Sequence, residues 1–333
     1  MSKYLGIDLG TANTLVYMRG KGIILREPSV VAVDQAKKKV VAVGSEAKNM
    51  IGKTPGNIAA FHPLRDGVIA DFDVTAKMLR AFFGKVNALG VLSRPTVVIC
   101  IPRGVTEVGR RAVEDATFEA GAKNVALIDE PMAAAIGAGL RVCDARGSMI
   151  VDIGGGTTEV AVICLGGIVR SSSRNDAGNL FDDAIVQYFK REHKILIGEG
   201  TAEQLKTSIG SVHESVYRGE LEIRGRNLRS GLPAVMTVNS RHMLDAMIEP
   251  AEAIIETIRK TLENTPAELS ADLYDLGIML TGGGALIGGL PELIRERLGI
   301  RVTVARKPLD SVAVGLGRAV EGRYPDLVKF RSR

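Results

Sequence analysis

One short pattern occurs twice in this chain: an apolar strand, an aspartate, and then a run of glycine and threonine. Its copies are "LGIDLGTANT" at residues 5–14 and "MIVDIGGGTTE" at residues 149–159. An offset of 144 (152 − 8) aligns Asp8 with Asp152 and also aligns the next turn and strand of each copy. Each copy predicts two strands joined by a tight glycine turn and followed by a third strand. The repeat therefore predicts a chain built from two related halves.

Later segments repeat in the same order. The stretch "TVVICIPRG" at 96–104 parallels "LGIMLTGGG" at 276–284, and each predicts a buried strand that runs into a glycine loop and then a helix. The stretch "EPMAAAIGAG" at 130–139 parallels "KPLDSVAVGLG" at 307–317. Proline is favoured at the first positions of a helix and glycine just past its end. Each of these two stretches therefore predicts a helix that starts at its proline and closes on its G-x-G.

The length of 333 residues suits two domains better than one simple core. The segment "RVCDARGS" breaks the pattern between the halves, and each half carries an insertion, the second with two helical patterns and a hairpin. Two similar α/β domains imply a cleft between them, which favours a ligand site. The predicted subdomains are IA at residues 1–30 and 75–142, IB at 31–74, IIA at 143–179 and 251–333, and IIB at 180–250.

Composition excludes several classes of protein. Three cysteines without C-x-x-C spacing and four histidines without an H-x-x-x-H pair predict neither a disulfide framework nor a structural metal site. Asp8 comes too early for a secretory signal, and no apolar run approaches the ~18 residues of a membrane span. We therefore expect a cytoplasmic protein. The net charge is +5, but tryptophan is absent and basic and aromatic residues do not alternate, so no nucleic-acid partner is expected.

The two glycine turns indicate phosphate binding. Their small residues leave backbone N–H groups accessible, and their threonine and asparagine side chains add further polar groups. One such turn alone is also typical of an ordinary β-turn, but two copies facing across a cleft can each hold one side of a polyphosphate. Asp8 and Asp152 stand at the strand ends just before the turns, where their oxygens can hold a hydrated Mg²⁺.

Glu130 stands between the strand "VALID" at 125–129 and the helix predicted to start at Pro131. The residue before a proline is driven into extended geometry, so the Glu130 carboxylate is expected to project at a strand end. Glu130 is either a helix-capping acid or the residue that orients or deprotonates a water attacking a γ-phosphate. The hydroxyl of Thr157 is a second contact for that water.

A third glycine run, "LTGGGALIGG" at residues 280–289, lacks the G-x-G-x-x-G spacing of a dinucleotide site. Its three consecutive glycines can let an adenine or ribose lie flat against the backbone. In "TAEQLK", Glu203 and Lys206 are three residues apart and therefore share one helix face. These two residues are either contacts to a nucleoside or a plain surface ion pair.

Together these segments resemble the MreB family of bacterial actins. The similarity runs from about residue 4 to about residue 320. The phosphate motifs are shared with other actins, sugar kinases and heat-shock chaperones, whereas "IGEGTAEQLK" and "DGVIADFDVT" are much more specific to MreB. The segments that carry the resemblance are "GIDLGTANT", "EPMAAAIGAG", "VDIGGGTTEVAVI", "LIGEGTAEQLK", "EIRGR", "SGLP" and "LTGGGALIGGL".

The resemblance implies an α/β, actin-like ATPase fold, in which two duplicated domains, each with an inserted subdomain, surround a central nucleotide cleft. It implies binding and hydrolysis of ATP with Mg²⁺ and polymerisation into membrane-associated filaments, with paired protofilaments, that organise cell-wall synthesis and rod shape. The implied partners are other copies of the chain, the inner face of the cell membrane and cell-wall elongation proteins.

The family's functional residues carry over position by position. Glu130 matches the hydrolytic glutamate and Thr157 the water-positioning threonine. Asp8 and Asp152 join them as predicted catalytic residues because of their place before the two glycine turns. The cofactor-binding positions are Gly10, Thr11, Ala12, Asn13, Thr14, Gly154, Gly155, Gly156, Thr157, Glu203, Gln204, Leu205, Lys206, Gly282, Gly283, Gly284 and Ala285.

Membrane contact in this family uses an N-terminal amphipathic helix, a hydrophobic loop, or both. The start "MSKYLGID" is too short for the helix, and the loop corresponds to "NALGVLSRP" at residues 87–95. Val91 and Leu92 are therefore the expected membrane residues, although the composition of this loop suits a place in the core equally well. At ~0.8 kcal/mol per buried CH₂, two aliphatic side chains bind weakly as a monomer but well in a multivalent filament.

Two other functions fit the same superfold. A small-molecule kinase needs a base aimed at a substrate hydroxyl, and no separate acid has a clear claim to that role. A chaperone resembling the 70-kilodalton heat-shock proteins needs a further peptide-binding domain, whereas this sequence stops soon after its second half closes. The sequence therefore favours the cytoskeletal function.

Overall fold

The computed structural model describes residues 3–65, 67–89 and 94–332. Within these ranges the strands are β1 (Tyr4–Leu9), β2 (Asn13–Met18), β3 (Gly22–Pro28), β4 (Val31–Asp34), β5 (Lys39–Val43), β6 (Ile58–Phe61), β7 (Leu64–Arg65), β8 (Val68–Ile69), β9 (Thr96–Ile101), β10 (Asn124–Asp129), β11 (Ser148–Ile153), β12 (Thr158–Cys164), β13 (Gly167–Arg174), β14 (Ile195–Leu196), β15 (Glu220–Asn227), β16 (Pro233–Asn239), β17 (Ile278–Thr281), β18 (Val302–Val304) and β19 (Arg331–Ser332). The helices are α1 (Ser45–Lys48), α2 (Phe72–Lys85), α3 (Glu107–Ala120), α4 (Glu130–Ala138), α5 (Gly178–Tyr188), α6 (Glu199–Ile209), α7 (Ser240–Glu263), α8 (Ala267–Leu276), α9 (Leu290–Leu298) and α10 (Ser311–Val320).

The chain divides into two compact units, of which the first comprises Met1–Cys143 and Asp310–Arg333. Its main sheet has the order β19-β10-β9-β1-β2-β3, in which β1, β9 and β10 are parallel and β2 is antiparallel to β1. The predicted insertion forms two small sheets, β5-β4-β6 and β7-β8. Phe82 and Phe83 of α2 are fully buried against the main sheet and anchor the core of this unit.

The second unit, Asp144–Leu309, repeats this plan. Its main sheet has the order β13-β12-β11-β17-β18, in which β11, β17 and β18 are parallel and β12 and β13 are antiparallel additions. Strand β11, "SMIVDI", is buried along its whole length, as expected for a parallel strand covered on both faces. The predicted duplication is therefore confirmed, because each unit contains the same three-stranded meander beside parallel strands.

The insertion of the second unit also has the predicted elements. Helices α5 and α6 precede a three-stranded sheet with the order β14-β15-β16. Strands β15 and β16 form the predicted antiparallel hairpin, with Arg224 opposite Val235. No helix in the described ranges is both long and apolar enough to cross a membrane.

The prediction for the two proline-started helices is right for one of them. Helix α4 has Pro131 in its first turn and is followed by Gly139 in the left-handed conformation. In the other, a 3-10 turn begins at the predicted proline (Pro308–Asp310) and leads into α10, which starts at Ser311 and continues through both glycines of its G-x-G to Val320. Those glycines serve packing, because a Cβ added to Gly315 would lie 1.9 Å from the carbonyl oxygen of Ala133 in α4.

The predicted extent of subdomain IIA differs from the observed units at residues 310–333, which belong to the first unit. The physical reason is packing: α10 lies against α4 and β1, and β19 pairs antiparallel with β10. The boundary between the halves falls after Cys143, one residue beyond the predicted position. The finer division into four subdomains stays a prediction.

Candidate functional site

The first glycine turn joins β1 to β2 and carries its polar groups at a strand end. In the ladder, Asp8 pairs with Leu15 and Leu9 pairs with Thr14, so the turn itself is residues 10–12. Asn13, the first residue of β2, is exposed, whereas Thr14 is fully buried. Backbone groups of the turn and the Asn13 side chain are therefore the accessible parts of this predicted phosphate loop.

Ser29, which the sequence analysis did not single out, holds the first turn in shape. Its hydroxyl donates to the carbonyl oxygen of Gly10 at 2.6 Å and accepts from the Thr14 hydroxyl at 2.8 Å. Its backbone N–H donates to the carbonyl oxygen of Ala12 at 2.9 Å. The Thr14 hydroxyl thus makes an internal bond, and cofactor binding by Thr14 stays a prediction. The only sequence signal for Ser29 is its place at the end of the third strand.

The insertion of the first unit supports the same turn. The backbone N–H of Gly67 donates to the Thr11 hydroxyl at 3.1 Å, and Nδ1 of His62 donates to the Thr11 carbonyl oxygen at 3.0 Å. Thr11 itself is buried. The turn is therefore fixed from both sides, by Ser29 and by residues of the insertion, and it is preorganised for a ligand.

Asp8 stands near the carboxyl end of β1 and is partly exposed, between the buried residues Ile7 and Leu9. Burial raises the pKa of its carboxyl from 3.8 to about 7, and a hydrogen bond from the Cys100 thiol, with Sγ 3.7 Å from Oδ1, partly lowers it again. A carboxyl with such a pKa binds a proton near neutral pH unless a cation replaces the proton. This is the behaviour expected of a carboxylate built to face a metal ion or its water.

Glu130 lies at the same sheet edge as the first turn. Strands β1, β9 and β10 are parallel and in register, so their carboxyl ends, including Leu9 and Asp129, share one edge. Glu130 is the first residue of α4, directly after β10, and it is partly exposed. The neighbouring Asp129 pairs with Arg103 at 2.7 Å. Asp129 holds the N-cap position of α4 without a side-chain capping bond, and Glu130 lies in the first helical turn.

The second glycine turn is held by the start of α5. The backbone N–H of Gly154 donates to the carbonyl oxygen of Thr157 at 2.9 Å and closes the turn. The backbone N–H groups of Gly178 and Asn179 donate to the carbonyl oxygens of Gly154 and Gly155 at 3.0 and 2.8 Å. The sequence analysis missed both α5 residues, although the small pair "AG" before an amphipathic helix is a signal for such close contact.

The third glycine run lies directly against the second turn. Strand β17 pairs with β11 so that Thr281 is opposite Asp152, which is buried. A Cβ added to Gly282 would lie 2.3 Å from the carbonyl oxygen of Ile153 and 2.4 Å from Oδ1 of Asp152. Two of the motifs predicted to bind one nucleotide are thus in contact within the second unit. Ala285, at the end of the run, is buried in the core.

Of the predicted site residues on helix α6, Lys206 reaches the start of α5 beside the second glycine turn. Lys206 donates to the carbonyl oxygen of Gly178 at 2.7 Å and to Oδ2 of Asp182 at 2.6 Å. Leu205 is fully buried in the core and Gln204 is exposed, and nucleotide binding by these two residues stays a prediction. The alternative of a plain surface ion pair does not describe Lys206, because its partner is Asp182 and both side chains are largely buried.

The residues predicted to hold Mg²⁺ are one aspartate at a strand end in each unit. Across the described ranges, no group of three or more His, Cys, Asp or Glu side chains is placed to hold a metal ion. Asp8 and Asp152 each lie at the end of a buried strand beside a glycine turn. Mg²⁺ keeps several waters and is commonly bound through one or two carboxylates together with phosphate oxygens. The expected membrane residues Val91 and Leu92 lie outside the described residues.

Two sheets with the same meander, the same parallel neighbours and the same glycine turns after an aspartate define an actin-like protein. A family model described as "MreB/Mbl protein" matches residues 2–326. The chain belongs to the MreB/Mbl family.

Similar proteins support this assignment. The chain is 51% identical over 313 residues to cell shape-determining protein Mbl of Bacillus subtilis (strain 168), covering 94% of each chain. It is 52% identical over 325 residues to cell shape-determining protein MreB of Escherichia coli (strain K12), covering 96% of this chain and 94% of that one. A cytoskeletal, actin-like role in cell shape follows for this chain.

A solved structure agrees with the fold. The crystal structure of MreB 5 of Spiroplasma citri bound to AMPPNP has a TM-score of 0.91 and 35% sequence identity, covering 98% of this chain and 99% of that one. The same protein was also solved bound to ADP, with a TM-score of 0.90. The actin-like fold is therefore confirmed over nearly the whole chain.

Proposed function

We propose that this chain binds ATP with Mg²⁺, hydrolyses it, and polymerises into filaments on the inner face of the cell membrane that organise cell-wall synthesis. The observation that carries the proposal is the meeting, within the second unit, of the glycine turn at residues 154–157, the start of α5, Lys206 and Gly282. Binding of AMPPNP, an analogue of ATP, and of ADP by the Spiroplasma citri relative supports ATP as the ligand.

In this proposal the two glycine turns bind the phosphates through backbone N–H groups, since their small residues allow close approach. Asp8 and Asp152 hold Mg²⁺ through water, and the bound ion neutralises phosphate charge. Gly282 and the two residues after it provide a side-chain-free surface for the nucleoside. Each turn is already held by hydrogen bonds from Ser29 or from the start of α5, so little ordering is needed when the ligand arrives.

Hydrolysis needs a water in line with the γ-phosphate, and Glu130 is the residue proposed to orient or deprotonate it. Glu130 sits at the carboxyl edge of the first sheet, near the end of β1 and its phosphate turn. The Thr157 hydroxyl is the proposed second contact of that water. In this proposal ATP turnover acts as a timer for assembly, so filaments should still form when the hydrolytic carboxylate is removed.

The test combines purified full-length protein, ATP, Mg²⁺ and anionic liposomes, with electron microscopy and phosphate release measured on the same samples. We expect filaments on the lipid for the wild type and for Glu130→Ala, with hydrolysis by the variant lowered by about 10²–10⁴-fold. The matched control is Glu107→Ala, which removes a carboxylate from the first residue of α3 and should leave hydrolysis unchanged.

Two results would contradict parts of the proposal. Absence of filaments under every nucleotide and lipid condition, together with phosphate transfer to an added sugar, would show that the chain is a kinase. Liposome pelleting that is unchanged when Val91 and Leu92 are both replaced by serine would rule out these residues as the membrane contact.

A further inference from the structure

Lys206 of α6 and Asp182 of α5 form a buried ion pair. The Lys206 Nζ and Asp182 Oδ2 atoms are 2.6 Å apart, and the two side chains are only 13% and 10% exposed. An exposed ion pair contributes little to stability, and its charges stay in contact with water. A buried pair costs desolvation of both charges, so burial of this pair suggests that the position of one of the charges matters.

The ammonium group of Lys206 also connects the pair to the second glycine turn. Nζ donates to the carbonyl oxygen of Gly178 at 2.7 Å, and the backbone N–H of Gly178 donates to the carbonyl oxygen of Gly154 at 3.0 Å. A lysine ammonium has three N–H donors. Asp182 and Gly178 take two of them, so the third has one fixed direction.

The surroundings of Lys206 suit a neutral, hydroxyl-rich group. The carboxylates of Glu199 and Glu203 on α6 are close enough to raise the pKa of Asp182, so several negative charges surround one positive charge. This excess of negative charge disfavours binding of a phosphate group beside Lys206. Oδ1 of Asp182 is buried and makes no hydrogen bond with any described residue, which marks the pair as incomplete without a further partner.

A ribose has two neighbouring hydroxyl groups that both donate and accept hydrogen bonds. Lys206 offers a donor, and Glu203, three residues earlier on the same helix face, offers an acceptor. We propose that Asp182 is a positioning residue for nucleotide binding, which fixes Lys206 through Oδ2 so that its remaining N–H donates to a ribose hydroxyl of ATP. This inference rests on the proposed function, because it requires that ATP is the ligand.

The test compares the affinity of full-length protein for ATP, 2′-deoxy-ATP and 3′-deoxy-ATP. Loss of a hydrogen bond to a charged group weakens binding by about tenfold or more, so the wild type should prefer ATP over one deoxy analogue by about that factor. Asp182→Ala should weaken ATP binding by about tenfold and leave the affinity for that analogue almost unchanged. The variant should then bind ATP and that analogue about equally well.

Two further variants separate positioning from a loss of stability. Asp182→Asn keeps an acceptor oxygen beside Lys206 and should retain part of the preference. Asp183→Ala removes the next carboxylate along α5, which is exposed, and should keep the full preference. Thermal unfolding without nucleotide reports any change in stability. A loss of stability would lower the affinity for all three nucleotides alike and leave the preference for ATP intact.

A wild-type preference that persists in Asp182→Ala, or a wild type that binds all three nucleotides equally, would overturn the role of Asp182 while leaving ATP as the ligand. A wild type that binds none of the three would overturn the proposed function as well.

Discussion

The contact between α4 and α10 gives the sharpest test of how this fold is held together. Glycines on both helices allow the backbones to touch. A Cβ added to Gly315 would lie 1.9 Å from the Ala133 carbonyl oxygen, and one added to Gly137 would lie 1.6 Å from the Ser311 carbonyl oxygen. Backbone atoms cannot rotate away as a side chain can, so Gly315→Ala must push the helices apart.

The size of the effect follows from that overlap. Ordinary contact begins at 3.4 Å, so the helices must separate by about 1.5 Å at this point. Overpacking of this kind costs about 3 kcal/mol, at the upper end of the usual range. For a unit of this size the melting temperature should fall by about 6–12 °C. Gly84→Ala is the matched control, because Gly84 lies in α2 with open space around it and should be neutral or up to about 1 kcal/mol more stable.

The assay is urea and thermal unfolding of the full chain, followed by circular dichroism. A Gly315→Ala variant as stable as Gly84→Ala would show that the two helices can separate freely. The reasoning from close backbone contact would then be wrong.

Three other predictions concern the site. Because burial raises the pKa of Asp8 to about 7, affinity for Mg²⁺-ATP should rise with pH up to about 7 and then level off. Cys100→Ala removes the thiol that lowers this pKa, so the plateau should begin at a higher pH. Calorimetric titration at several pH values checks both results. Gly282→Ala places a methyl group against Asp152 and should weaken nucleotide binding at least about tenfold; an unchanged dissociation constant would contradict the contact. Burial raises the pKa of Asp182 from 3.8 to about 6, so the folded state binds a proton that the unfolded state has lost. Stability should therefore decline as pH rises from about 4 to 6, by up to about 3 kcal/mol, and Asp182→Asn should flatten that slope in urea unfolding.

Local features of the fold were predictable from the sequence because they depend on neighbouring residues. The apolar runs before Asp8 and Asp152 end in glycine turns, and turn geometry fixes the hairpins that follow. Proline at position 131 sets the start of α4 for a similar reason, because its backbone conformation suits the first helical turn. Each of these signals lies within a few residues of its effect.

Features that depend on distant partners were not predictable in the same way. The glycines of α10 have the spacing of a helix end, and only the folded structure shows that they serve close packing, Gly315 against α4 and Gly317 against the ring of Tyr17. Asp182 lies on an ordinary amphipathic helix, and its partner Lys206 is on the next helix of the chain. Ser29 gives no motif at all, since its importance comes from three bonds to a turn near residue 10.

The return of residues 310–333 to the first unit has a consequence for synthesis on the ribosome. The first unit cannot complete its sheet or cover α4 until the 166 residues of Asp144–Leu309 have been translated. At about 5–20 residues per second, that delay is roughly 8–33 s. During this time the edge of β10 is open and can pair with other nascent chains. The second unit, which is continuous in sequence, can finish folding first.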